Sequence, residues 1–215
     1  MKNINGWFLP ESDSYFSKIL SESGSFEPGR LDLALQFVKN FRVALDIGGH
    51  VGLRSRELAP RFVSVITFEP ALANYQCLVE NTSFMGNIML HNVALGDRAT
   101  EVAMMESTTR QGNSGSMFVT RGTGTDMRTL DSFSISGVDF CKIDVEGLEA
   151  LVLKGGETTI RRDRPVILLE QKNFRDREGR MDVDYKEAAT ILESWGAKCV
   201  ERINNDLVYT WDNGG

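Results

Sequence analysis

From residue 43 onward, short apolar runs alternate with longer stretches of helical periodicity. Runs at 43–47, 63–68, 88–93, 139–144, 166–170, 197–202 and 207–211 have the length and content of strands, and helices are expected between them, notably over 53–62, 71–85 and 185–195. This alternation predicts an α/β fold: a seven-stranded, mostly parallel sheet with helices on both faces. Only Ile203, Asn204, Asn205 and Asp206 separate the last two runs, too few for a crossover helix, so those strands should form an antiparallel terminal hairpin. Before residue 43, Tyr15-Phe16-Ile19-Leu20 and Leu31-Leu33-Leu35-Phe37-Val38 give two helical patterns separated by a turn-prone stretch from Gly24 to Gly29. We therefore expect a helical cap segment over 1–42 and one compact unit over 43–215. Residues 100–125 interrupt the alternation. Val102-Met104 and Met117-Val119 flank a polar stretch, predicting an inserted hairpin whose Gly112-Asn113-Ser114-Gly115 tip is either a lid or a plain turn.

Composition narrows the class. A chain of 215 residues suits one domain that buries about 70% of its unfolded surface without staples. Cys77, Cys141 and Cys199 lie far apart with no metal-ligand spacing, which points to reduced thiols in a cytosol-like compartment and against structural zinc. Residues 1–9 lack the apolar core of a signal peptide and no run of about 20 apolar residues occurs, so a soluble, cytoplasmic protein with no membrane partner is expected. The net charge of −6 disfavours a nucleic-acid partner. Local basic clusters, Arg161, Arg162 and Arg164 and then Arg175, Arg177 and Arg180, are interleaved with acids and read as solvated surface.

The strand at 43–47 runs into Asp46-Ile47-Gly48-Gly49-His50-Val51-Gly52, and Glu69 closes the next strand twenty-three positions after Asp46. A glycine-rich turn leaves backbone N–H groups free and admits a ligand close to the chain, while an acid at the second strand's end can accept both hydroxyls of a ribose. A nucleoside ligand is implied. A dinucleotide site wants G-x-G-x-x-G; here Asp46 leads instead and its carboxylate would repel a pyrophosphate. S-adenosylmethionine, with its ammonium and cationic sulfur, complements that charge.

A second anomaly lies at 138–147. A central parallel strand should be apolar on both faces, yet Lys142 and Asp144 share one face with Phe140, and burying that pair is costly unless the two groups pair or serve a ligand. Asp144 and Glu146 fall at the carboxyl end of the strand, where open parallel sheets bind ligands, and Glu170 ends the following strand. With Asp46 and Glu69, four strand tips present acids to one rim, an arrangement that a sulfonium cofactor would relieve. A buried Lys142–Asp144 bridge without catalytic duty accounts for the same residues.

These blocks resemble the FkbM family of S-adenosylmethionine-dependent methyltransferases. The resemblance rests on Leu45 to Gly52, Phe68-Glu69-Pro70, Asn92 to Asp97, Thr129-Leu130-Asp131 and, above all, Lys142-Ile143-Asp144-Val145-Glu146-Gly147 with Glu149 and Leu153 to Gly156, followed by Pro165 and Glu170. It departs at Gly49, where alanine is more usual, a change expected only to loosen the loop. The resemblance implies the class I methyltransferase, Rossmann-like fold. It also implies that Asp46, Gly48, Gly49, His50 and Gly52 hold the methionine end, Glu69 and Pro70 the ribose side, Ala94, Leu95 and Asp97 the adenine edge, and that Asp144 borders the cofactor. His50 would donate to the cofactor carboxylate or simply face solvent; His91 reads as a packed histidine. The aromatic set Trp7, Phe8, Tyr15, Phe16 and Phe26 either covers the cofactor or packs as core.

Methyl transfer to a hydroxyl of a small molecule or saccharide would use Asp144 as first candidate base and Glu170 as second, with Lys142 tuning Asp144. A divalent cation on Asp144 and Glu146 is an alternative. Two other readings stay open: an RNA ribose methyltransferase, from Asp144 followed by Lys172, and a cofactor-binding module without activity.

Overall fold

The computed structural model describes residues 1–173, 180, 181 and 184–212. In chain order the elements are β1 (Lys2–Ile4), β2 (Trp7–Leu9), α1 (Tyr15–Ser23), α2 (Asp32–Leu35), β3 (Val43–Ile47), α3 (Leu53–Leu58), β4 (Ser64–Phe68), α4 (Leu72–Thr82), β5 (Ile88–His91), β6 (Ala94–Leu95), β7 (Thr100–Met105), β8 (Phe118–Arg128), β9 (Val138–Ile143), α5 (Glu149–Gly155), α6 (Glu157–Asp163), β10 (Val166–Glu170), α7 (Glu187–Ser194), β11 (Ala197–Ile203) and β12 (Asp206–Trp211). Seven strands form one sheet in the order β11-β12-β10-β9-β3-β4-β5. Five are joined by parallel pairing, while β12 runs against the other six and is antiparallel to both β10 and β11, its pairing with β11 being the expected terminal hairpin.

The alternating side chains of the strands feed two cores. Leu45, Ile47, Cys141, Ile143, Ile167 and Leu169 pack with Leu153, Ile160 and Leu192 of α5, α6 and α7 on one face. Ala44, Val65, Phe140, Val166 and Leu168 meet Leu31, Leu35, Leu58 and Phe62 on the other. Burial on both faces explains why these strands read as continuous apolar runs. A third cluster joins Leu9, Phe16 and Leu20 of the amino-terminal segment to Val51, Leu53 and Cys77.

The amino-terminal segment is not purely helical. It opens with a hairpin, β1 and β2, turned by Asn5 (φ 51°) and Gly6 (φ 85°), in which Lys2 faces Leu9 and Ile4 faces Trp7. Asn-Gly between apolar residues is the strongest short hairpin signal, so this element was readable from the residues. The inserted hairpin exists as β7 and β8, with Met104 opposite Val119, but β8 runs on to Arg128 and pairs in parallel with β6, making a three-stranded sheet. Its tip is docked: the Gly112 carbonyl accepts from the backbone N–H groups of Ser14 (2.8 Å) and Tyr15 (3.0 Å). Of the basic clusters, Arg161 and Arg162 pair at the surface with Glu157 and Asp163. Arg180 is no solvated residue: its guanidinium lies 4.0 Å over the Phe118 ring and donates to the Glu146 carbonyl. Arg175 and Arg177 lie outside the described residues. Among those residues no helix is long and apolar enough to cross a membrane.

Candidate active site

The chain proceeds from β3 to β4 and β5 on one side, then returns to place β9 and β10 on the other. The order therefore reverses between β3 and β9, and the crevice at the carboxyl ends of those strands is where an open parallel sheet receives its ligand. Two turns form its walls, Gly48 to Gly52 after β3 and Asp144 to Gly147 after β9.

In the first turn Gly48 has φ 85°, and a Cβ there would lie 1.8 Å from the Asp144 carbonyl oxygen, so only glycine lets the two turns approach. A Cβ on Gly49 would lie 2.2 Å from Thr67 Cγ2. Gly49 is thus required by packing against β4 rather than a mere loosening of the loop. The N–H groups of this turn are not free, contrary to the sequence argument: Gly48 and Gly49 both donate to the Phe68 carbonyl (3.0 Å each), Gly52 donates to the Gly49 carbonyl (2.8 Å), and His50 donates to Glu69 Oε2 (2.8 Å). Donors already engaged cannot bind a pyrophosphate, which strengthens the case against a dinucleotide. Glu69 also accepts from the Ala71 N–H (2.9 Å), and burial pushes its pKa up to about 7 against those hydrogen bonds.

Asp46 does not reach the rim. It is fully buried behind the turn, accepting from Ser55 Oγ (2.6 Å), with Lys142 Nζ 3.5 Å from its other oxygen. Its charge therefore meets the Lys142 ammonium, and three strand tips rather than four present acids to the crevice. Lys142 itself donates to the Gly48 carbonyl (3.1 Å) and lies 3.4 Å from Asp144 Oδ2. Burial lowers its pKa, but Asp144 and Asp46 outweigh that and hold it above the ordinary lysine value. The bridge thus ties both turns together from beneath.

Asp144 and Glu170 titrate apart. Desolvation raises Asp144, yet Lys142 and a hydrogen bond from Glu170 more than reverse it and keep its pKa low. Glu170 is driven well above the usual range, first by burial and then by the Asp144 charge. The opposed shifts hold Glu170 toward its protonated form and Asp144 toward its ionised form. Glu146 (φ 55°) stands beside them, with Arg110 Nη2 at 2.6 Å and Lys172 Nζ at 3.2 Å. Asp144, Glu146 and Glu170 offer oxygens within 4.8 Å of one another, a spacing that a cation could use. Arg110, Lys142, Lys172 and Arg180 already supply the opposing charge, and Glu146 is engaged by three of them. Glu149 clamps this second turn from below, accepting from the N–H groups of Val145 (3.2 Å) and Gly147 (3.1 Å), and burial lifts its pKa to about 7.

A cavity of about 860 Å3 occupies the crevice. Of the residues expected there, Gly48, Gly49, His50, Glu69, Pro70, Ala94, Leu95, Lys142, Asp144, Glu146 and Glu170 line it, together with Tyr15, Phe16 and Phe26 of the amino-terminal segment. Asp46, Gly52 and Asp97 do not. Gly52 packs tightly on Leu78, and Asp97 pairs with Arg98. His91 stacks on Phe68 with ring centroids 5.0 Å apart, outside the cavity. Sequence reasoning missed Asp13, which is fully buried and accepts from Ser114 of the inserted tip, and Arg110 of the same insertion.

The chain matches the methyltransferase FkbM domain over residues 46–199. A search of curated proteins returns no significant match. Among solved structures it is similar to an FkbM methyltransferase from Methylobacillus flagellatus KT, with TM-score 0.51 and 18% identity over 94% of this chain and 48% of that one. It is also similar to Streptococcus pneumoniae Sp1610 in complex with S-adenosyl-L-methionine (TM-score 0.52, 17% identity, 88% of this chain and 75% of that one). Fibrillarin from Aeropyrum pernix with natively bound S-adenosyl-L-methionine gives 0.50 and 16% over 84% and 73%. At such identities the likeness is one of fold, the class I methyltransferase sheet, and the chain spans about half the length of the Methylobacillus protein. The domain match extends from the acid of the glycine turn to the edge strand β11, and by it the chain belongs to the FkbM methyltransferase family.

Proposed function

We propose that the chain is an S-adenosylmethionine-dependent methyltransferase that transfers to a hydroxyl of a small molecule or saccharide. The observation that carries this reading is the placing of Asp144, with Lys142 Nζ 3.4 Å from its Oδ2, beside Glu170 at the wall of a cavity whose other wall is the glycine turn and Glu69. When bound, S-adenosylmethionine supplies a methyl group on a cationic sulfur. Glu69 would accept from the ribose hydroxyls, Pro70, Ala94 and Leu95 would border the base, and Gly48, Gly49 and His50 would border the methionine end. Asp144 would take the proton of the acceptor hydroxyl. Lys142 holds Asp144 ionised and in place. Glu170, which burial and the Asp144 charge hold toward its protonated form, is the weaker candidate for base.

Charge balance within the acid cluster supports a metal-independent reaction, so transfer should survive chelation. An RNA acceptor fits less well, because Lys172 is paired with Glu146 and Glu170 and the chain carries a net charge of −6. The decisive experiment is transfer of an isotope-labelled methyl group from S-adenosylmethionine to a panel of sugars, small alcohols and RNA. Label on a hydroxyl of the first two supports the proposal. Label on RNA alone favours the ribose reading, and cofactor binding with no transfer to any acceptor favours a module without activity.

A further inference from the structure

Four distant segments meet at Ser114, the tip of the inserted hairpin. Ser114 donates through both its backbone N–H (2.9 Å) and its hydroxyl (2.6 Å) to Asp13 Oδ2, its carbonyl accepts from Asn74 Nδ2 (3.0 Å), and its hydroxyl oxygen lies 2.7 Å from His50 Nε2. Asn74 also acts on Glu69, helping to oppose the rise of its pKa, and Glu69 accepts from the His50 N–H. The tip is therefore wired to the glycine turn and to the acid expected at the ribose.

The protons in this network can be counted. Asp13 also accepts from the Ser17 N–H through Oδ1 (3.0 Å), so both of its side-chain oxygens are acceptors of backbone N–H groups. Ser114 has one hydroxyl proton, and the 2.6 Å contact to Asp13 uses it. The contact to His50 can then be a hydrogen bond only if the ring supplies the proton from Nε2. The ring packs on Phe16 with centroids 4.6 Å apart and lines the cavity, a setting that opposes a second proton; burial lowers its pKa to about 4. What remains at Nδ1 is a lone pair, with no donor to it among the described residues. Having spent its proton on Ser114, the ring offers a ligand an acceptor at Nδ1, the reverse of the donor role toward the cofactor that the sequence invites.

We infer that Asp13 and Ser114 act as positioning residues that fix His50 in its Nε2–H tautomer, so that Nδ1 accepts a hydrogen bond from the ammonium of S-adenosylmethionine. The cradle for the methionine end is then completed by residues from outside the parallel sheet, and docking of the inserted tip is coupled to cofactor occupancy. This rests on the cofactor reading above and adds the polarity and the supports of one contact.

The test uses the whole chain labelled with 15N-histidine, together with two ligands, S-adenosylhomocysteine and its analogue lacking the amino group. Nitrogen chemical shifts should report Nε2–H with a bare Nδ1 in the wild type at pH 7, and a mixture of tautomers in Ser114→Ala. By calorimetry the wild type should prefer S-adenosylhomocysteine to the desamino analogue by about tenfold more than do Ser114→Ala or His50→Gly, the scale of one hydrogen bond. Glycine is chosen at 50 because φ is 51° there. Ser114→Thr, which keeps the hydroxyl, should restore both signals. A proton on Nδ1 in the wild type, or equal discrimination in all variants, would overturn the inference while leaving the cofactor assignment intact. Failure of the wild type to bind S-adenosylhomocysteine at all would remove the cofactor reading and this one with it.

Discussion

The two turns that wall the crevice use the same backbone device to different ends. Each follows one of two adjacent parallel strands, each carries a left-handed non-glycine residue beside a glycine, His50 in one and Glu146 in the other, and each is clamped by a buried glutamate that accepts two backbone N–H groups. The clamps differ in origin. Glu69 arrives from the end of β4 and lines the cavity, whereas Glu149 is the first residue of α5, sits under its own turn and does not line it. The first turn bears little charge and, in the proposed function, offers shape to a nucleoside. The second concentrates Asp144, Glu146 and four basic groups where the proposed function moves a proton. A ligand-facing clamp has two duties and a scaffold clamp has one, so substitutions in the two turns should separate binding from turnover.

The largest effect should come from the charged turn. Asp144→Asn removes the ionised group while keeping its size, so turnover should fall on the order of a hundredfold with cofactor affinity nearly unchanged. Steady-state rates beside calorimetric affinity decide it, and equal activity would reduce Asp144 to scaffold. Next, Glu69→Ala should weaken cofactor binding by about 1–3 kcal/mol, because the ribose hydroxyls and the N–H groups of His50 and Ala71 lose their acceptor. Glu149→Ala should spare affinity and lower turnover instead. If both alanine variants weaken binding alike, the two turns do not divide the labour and the comparison fails.

These assignments were legible to unequal degrees in the residues. Strands β3, β9 and β10 announced themselves because burial on both faces leaves continuous apolar runs, and that same rule exposed Lys142 and Asp144 as charges where none belongs. Asp46 was misplaced for a physical reason: the two-residue period assigns a face but not a depth, and it cannot tell a carboxylate on the rim from one beneath it. Asp13 and Ser114 are 101 positions apart, and no local pattern links them. Their meeting depends on the inserted hairpin folding back over α1. Gly49 carried an intermediate signal, since only the neighbouring strand's Thr67 shows that its missing side chain is a requirement.

That requirement gives a test of the first turn as a packed object. Gly49→Ala should destabilise the protein by roughly 1–3 kcal/mol, the cost of overpacking a rigid neighbour. Thr67→Ser deletes the obstructing methyl and keeps the hydroxyl that hydrogen-bonds Ser55 (3.0 Å). The double variant should therefore regain most of the loss in denaturant unfolding. Additive losses would mean that the Gly49 contact yields without cost.

The smallest effect asks whether the two clamps are energetically the same device. Burial raises Glu69 and Glu149 each to about 7, so between about pH 4.5 and 6.5 the folded chain holds two protons that the unfolded chain has released. Each acid should make stability fall as pH rises, by roughly 1.4 kcal/mol per pH unit. His50, lowered to about 4, works in the opposite direction over the same window, since there the unfolded chain holds a proton that the folded chain lacks. These three groups together therefore leave a net decline of about one such slope from pH 4.5 to 6.5. Glu149→Gln keeps an oxygen for its turn but cannot titrate, so it should make the decline shallower by about 1.4 kcal/mol per pH unit, and Glu69→Gln should do the same. Unfolding free energies at pH 5 and 6.5 would read the slopes directly. Unequal flattening would show that the ligand-facing glutamate is held differently from its scaffold counterpart, and parallel profiles in wild type and both variants would mean that neither carboxyl keeps its proton in the fold.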